Sequence, residues 1–285
     1  MDEKYNSDPF DNNEKDSQGN NIPIMGEPLS PTSPGGGVSL RKIIRGGPAA
    51  LGITGFCLLL TAGIVFLLPN TPLVSRFFPS IAKAHAIQTT ITNANSQWEP
   101  LLSDTFDNNK NQWYEGVEDD EDATITYAVT DGKYRWDTTA RDYTIKRVLL
   151  EKPVSDFYFA SDIQNNDGAA GAGDYGIIFR EDDNGNFYYF AVEIDGNDCT
   201  LLQFYNGELS DLMEWTDCTP IVPKGSNKLA VIGEGDHIIL LINNRLVDDF
   251  RDDSIKGNRI GLAIRIYADF DAGAFEFDNL ELKVP

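Results

Sequence analysis

From residue 98 to the C-terminus the chain alternates short apolar runs with clusters of Gly, Asn and Asp, and no long stretch carries amphipathic-helix spacing. That pattern predicts strands over 123–129, 134–138, 145–150, 157–163, 175–180, 187–194, 200–205, 229–232, 237–242, 245–250, 260–266 and 274–282. Asp131-Gly132, Asn184-Gly185, Asn206-Gly207 and Asn243-Asn244 separate several of these runs, and each pair adopts positive φ readily, as tight hairpins require. So many short strands predict an all-β domain over 98–285: two stacked antiparallel sheets, a sandwich or jelly roll.

Upstream the pattern changes. Between 46 and 75 the only ionisable side chain is Cys57, and the apolar centre 49–68 has the length of about twenty residues that a helix needs to cross hydrocarbon. Pro48 and Pro69 bracket it. One transmembrane helix is therefore expected within 46–69. Ala84-His85-Ala86 has the form of a signal-peptidase site, but it lies too far beyond the apolar run to suit a cleaved leader. Residues 1–45 form a polar tail in which the Pro, Ser and Gly run at 28–37 buries too little apolar surface to order the chain. Residues 70–97 read as a stalk with a short helix at 73–86.

Charge adds orientation. Arg41, Lys42 and Arg45 sit immediately before the apolar run, with Arg76 and Lys83 farther beyond it, which places the N-terminus in the cytoplasm and the β domain outside the cytoplasm. The whole chain has a formal charge of -22, and residues 98–285 alone hold 16 basic and 38 acidic side chains. Such a surface repels phosphate backbones, so no nucleic-acid partner is expected.

The turn at Asn184-Gly185 allows a residue-level reading. As a two-residue hairpin loop it pairs Arg180 with Tyr189, Ile178 with Ala191 and Gly176 with Glu193. Phe179, Ile177, Phe190 and Val192 then face the core, while Arg180, Tyr189 and Glu193 surround a hollow over Gly176 and Ala191. Charged and aromatic groups around a hollow suit a polar ligand such as a sugar; an ordinary solvated face is the alternative. Cys199 and Cys218 flank the hairpin turning at Asn206-Gly207, close enough for a disulfide and hence an oxidising compartment, or else stand as two thiols of a reduced protein.

Chemistry for catalysis is sparse. Glu193-Ile194-Asp195 begins like the alternating carboxylates of some sugar hydrolases, but Asn197 stands where the next same-face acid belongs. With only His85 and His237 in the chain, a Ser-His-Asp relay or a histidine zinc site lacks parts. The run 181–186 lacks the distal Glu of an EF-hand, and a hairpin explains its composition.

The segments Asp104-Thr105-Phe106-Asp107 with Trp113, Asp174-Tyr175-Gly176-Ile177-Ile178-Phe179-Arg180, Asn186-Phe187-Tyr188-Tyr189-Phe190 and Phe277-Asp278-Asn279-Leu280 together resemble concanavalin A-like (laminin G-like) jelly-roll domains. The branch related to 3-keto-disaccharide hydrolase domains is the most similar, and the resemblance spans about residues 98–285. It implies a glycan-recognising or sensing ectodomain, with some relatives acting on sugars. It also implies a structural calcium near the first and last strands, with Asp107 and Asp278 as ligands, although both residues equally suit turn capping. The leading expectation is a membrane-held domain that binds carbohydrate or an envelope component without turning it over. A sugar-active hydrolase or lyase, and a structural protein-interaction module, are the alternatives.

Overall fold

Three of the four hairpin dipeptides adopt the turn their chemistry favours: Asp131-Gly132, Asn206-Gly207 and Asn243-Asn244 have positive φ at both positions. The computed structural model describes residues 79–166, 173–194, 196–267 and 272–285. The expected tail and membrane segment, 1–45 and 46–69, lie outside the described residues. No helix among those described is long and apolar enough to cross a membrane.

Among the described residues one helix leads into fifteen strands. They are α1 (Pro79–Ser96), β1 (Glu99–Asp104), β2 (Gly116–Asp119), β3 (Ala123–Thr130), β4 (Lys133–Ala140), β5 (Thr144–Leu149), β6 (Phe157–Asn166), β7 (Gly173–Glu181), β8 (Phe187–Glu193), β9 (Asp198–Tyr205), β10 (Glu208–Asp217), β11 (Asn227–Glu234), β12 (His237–Ile242), β13 (Arg245–Arg251), β14 (Arg259–Ile266) and β15 (Ala272–Val284). The larger sheet has the order β13-β12-β11-β6-β15-β4-β3-β2 with β1 paired to β15; the smaller has the order β10-β9-β8-β7-β14-β5. Every pairing within them is antiparallel.

The alternation that predicted the strands also builds the core. Ile177, Phe179, Phe190 and Val192 from the smaller sheet are buried with Phe157, Phe159, Trp136 and Phe277 from the larger one. Trp136 lies 4.6 Å from Phe277 between ring centroids. Three strands escaped the sequence reading: β1, β2 and β10. The last of these is exposed along nearly its whole length, so it has no alternation to betray it.

The described part of the segment before the sandwich, 79–97, packs against it. Among the described residues its helix runs from Pro79 to Ser96, past the expected end at residue 86, and the first part of the expected helix, 73–78, lies outside the described residues. Ile87 and Ala94 of α1 bury themselves against Tyr158, Ala160, Ala230, Ile232, Ile239 and Leu241, the outer face of β6, β11 and β12. These strands are apolar on both faces because one side meets the smaller sheet and the other meets the helix.

Cys199 and Cys218 form a disulfide with their Cα atoms 5.8 Å apart. It ties the start of β9 to the residue just after β10.

Candidate functional site

The β7–β8 hairpin differs in register from the two-residue loop read in the sequence. The pairs are Asp174 with Glu193, Gly176 with Ala191, and Ile178 with Tyr189. The displacement comes from Arg180, which has φ +53° and forms a bulge: the β14–β7 ladder also shifts between Arg259–Glu181 and Gly261–Ile178. A two-residue slip preserves the faces, so Phe179 and Phe190 still point into the core. The bulge turns Arg180 away from Tyr189 and Glu193. Its guanidinium donates to the carbonyl oxygens of Asp252, at 3.1 Å, and Gly235, at the end of the sandwich. Arg180 therefore does not join the other two expected ligand residues.

Register lays the outer face of the smaller sheet in three rows. One contains Ile145, Arg265, Asp174 and Glu193; the next Arg147, Ala263, Gly176, Ala191 and Thr200; the third Leu149, Gly261, Ile178, Tyr189, Leu202 and Asp211. The middle row is small at its centre, as the sequence suggested, but the hollow is filled. Tyr189 is fully buried, and its hydroxyl reaches past Gly176 and Ala191 to interact with Asp174 in the first row. A Cβ on Gly176 would come within 1.9 Å of the Phe190 carbonyl oxygen, so the backbone packing tolerates only glycine there.

The floor of the site is an ion pair. Arg265 Nε donates to Asp174 Oδ2 at 2.7 Å, and Nη2 lies 2.5 Å from the same oxygen. Both residues are buried. Burial pushes the Asp174 carboxyl up to about 6, against the opposing pull of Arg265. Arg265 is less deeply enclosed, and there the Asp174 charge prevails over desolvation and holds the guanidinium firmly protonated. Asp174 Oδ1, Arg265 Nη2 and Tyr189 Oη all lack a hydrogen bond of good geometry among the described residues.

Aromatic groups rise over this floor. The Arg265 guanidinium carbon is 5.8 Å from the Trp215 ring centre and 5.5 Å from that of Tyr267, and Tyr267 packs 5.4 Å from Tyr143. Trp215 belongs to β10 and Arg265 to β14, four strand spacings apart. That is about 19 Å in a flat sheet. The sheet must therefore curl strongly toward this face. Two register shifts in the β9–β10 ladder, between Asp211 and Met213 and between Met213 and Thr216, supply the bending. They let Met213 pack toward the core while Trp215, two residues on, reaches the concave side.

Glu193 is exposed beside Asp174, with its carboxylate held over Gly196, where a side chain would collide with it. The concave face thus offers an exposed carboxylate, a buried ion pair beneath it, and three aromatic rings. The pattern complements a neutral polyol, whose hydroxyls both donate and accept and whose C–H faces stack on rings. Of the expected site residues, Tyr189 and Glu193 stand here. Asp174, Arg265, Trp215, Tyr143 and Tyr267 were not singled out from sequence; the Asp174–Glu193 pairing emerges only once the bulge is known.

The other expected residues lie elsewhere. Asp107 accepts from Thr105 Oγ1 at 2.8 Å, and Asp278 pairs with Lys133 Nζ at 2.5 Å and accepts from the Asn279 amide. An ammonium thus already balances Asp278, and the described residues contain no group of three or more metal-ligating side chains. Asp104, two residues before the start of β1's following loop pair Phe106-Asp107, instead organises that corner by accepting from Phe106 N, Asn111 Nδ2 and Trp113 Nε1.

No family model matches this chain, and no curated protein matches it. Solved structures with a similar backbone include a carbohydrate binding module from Bacillus subtilis, with 20% identity, a TM-score of 0.40, and coverage of 60% of this chain and 92% of that one. The catalytic domain of an endo-1,3-beta-glucanase (laminarinase) from Thermotoga petrophila has 8% identity and a TM-score of 0.46, covering 66% of this chain and 98% of that one. A GlcNAcα1-4Gal-releasing endo-β-galactosidase from Clostridium perfringens has 10% identity and a TM-score of 0.47, covering 67% and 64%. Likenesses this distant carry no argument about ligand or activity.

Proposed function

We propose that this protein is a membrane-anchored extracytoplasmic domain that binds a neutral carbohydrate, free or as part of the cell envelope, on the concave face of its smaller sheet, without turning it over. The observation that carries the reading is the concave face itself, where the exposed carboxylate of Glu193 and the exposed ring of Trp215 accompany the buried Asp174–Arg265 pair. Sugar hydroxyls donate to an exposed carboxylate, and sugar C–H faces stack on an aromatic ring. Binding is favoured over hydrolysis because the carboxylate facing Glu193 is Asp174, which is buried and committed to Arg265. A glycosidase needs two carboxyl groups free to flank the scissile bond. Residues 46–69 supply the anchor.

Calorimetric titration of the full-length protein with a panel of neutral oligosaccharides tests the proposal. Trp215→Ala should weaken any such binding by about tenfold, equivalent to about 1.4 kcal/mol, with little change in stability because Trp215 is 38% exposed. Absence of binding across the panel, or undiminished binding by the variant, refutes the site. Release of reducing ends from the same oligosaccharides would instead establish catalysis.

A further inference from the structure

The bulge that removes Arg180 from the concave face places it at a second cavity. This space, of about 360 Å³, lies at the end of the sandwich and is lined in part by Ser155, Asp156, Arg180, Asp236, Asp253 and Lys256. It has room for about a dozen waters at their liquid volume of about 30 Å³. Arg180 is 5% exposed and occupies a left-handed backbone conformation that side-chain-bearing residues seldom adopt. Among the described residues no carboxylate makes a direct ion pair with its guanidinium, although Asp156, Asp252 and Asp236 act on its charge through space. Its two hydrogen bonds go to the carbonyl oxygens of Asp252 and Gly235, which leaves N–H groups unspent.

The surrounding charges narrow the ligand. Asp236 is neutralised by Arg251, and Asp253 by Lys256 at 3.1 Å. Asp156 accepts the Gly235 amide on Oδ1 at 2.8 Å, and its other oxygen has no partner among the described residues. The cavity therefore presents one buried cation and one half-used carboxylate. A phosphate or sulfate would meet the guanidinium but also face three aspartates. A carboxylate that carries its own ammonium satisfies Arg180 and Asp156 together.

We infer that this cavity is a binding site for a small zwitterion of the α-amino acid class, with Arg180 receiving the carboxylate and Asp156 the ammonium. It is separate from the concave face and does not depend on the carbohydrate reading.

Calorimetry on the full-length protein with glycine, L-leucine and L-glutamine, and with acetate and methylammonium as half-ligands, tests the assignment. At least one amino acid should bind, with each half-ligand at least about tenfold weaker. Arg180→Ala should reduce amino acid affinity by at least about tenfold. Should that variant misfold, Asp156→Asn keeps an acceptor for the Gly235 amide while removing the charge, and it should weaken amino acid binding while acetate binds as tightly as before or more tightly. A folded wild-type protein that binds none of the amino acids overturns the inference and leaves Arg180 as a clamp between the sheets. Acetate binding as tightly as the amino acids overturns the zwitterion assignment.

Discussion

Asp174 carries the most consequential single charge in the molecule, and its titration can be followed directly. Its folded-state value near 6 lies above the ordinary carboxylate value of 3.8, so the folded protein holds a proton that the unfolded chain has already released between about pH 4 and 6. The group's contribution is most favourable below that window and declines as pH rises through it, by about 3 kcal/mol at most when each unit is worth about 1.36 kcal/mol. Asp174→Asn removes the titration and keeps a neutral side chain beside Arg265 at every pH. Measured against wild type by urea denaturation at pH 4, 5, 6 and 7, the variant should regain ground as pH rises. If it instead loses ground over that range, Arg265 dominates and Asp174 titrates low.

At the scale of the element, β10 decides whether the concave face has a roof. It is an edge strand, acidic and exposed, with an irregular ladder, so little of its own packing keeps Trp215 in place. The Cys199–Cys218 disulfide ties down the chain immediately after it. Closing a loop of this size contributes about 3 kcal/mol in the chain-entropy account. The Cys199→Ser, Cys218→Ser double variant should lose about that much stability to urea. It should also shift tryptophan emission as Trp215 leaves Arg265, and an unchanged spectrum in the folded variant would show that the ladder suffices. The contrast with β7 and β8 explains what the sequence made legible. Tyr175 to Phe179 and Phe187 to Val192 alternate or run apolar, and their turn residues are Asn and Gly, so strands, faces and core could all be read. A bulge at Arg180 or at Met213 has no such signature, because the extra residue is specified by what the neighbouring strand and sheet require. The core was thus legible from periodicity, whereas the site depends on two bulges and a curl that only long-range pairing creates. The extension of helix α1 to Ser96 escaped the sequence for a related reason: its apolar contacts, Ile87 and Ala94, make sense only against the back of the larger sheet.

For the whole molecule, the compartment determines which of these features can operate. The disulfide requires an oxidising environment to persist, and the acidic sandwich, which dominates a chain of net charge -22, suits solvent rather than an anionic lipid surface. Both fit the orientation read from Arg41, Lys42 and Arg45 ahead of the apolar run, with the tail inside and the sandwich outside. The alternative orientation puts the same cysteines in a reducing cytosol and separates the concave face from external glycans. Limited proteolysis of intact cells making the full-length protein distinguishes the two. Protease should remove the sandwich while a cytoplasmic marker survives, and non-reducing electrophoresis of the released fragment should show the Cys199–Cys218 bond before any lysis. A sandwich that resists protease until the membrane is opened, in cells where an external control is digested, would place it in the cytosol and end the case for an extracellular ligand.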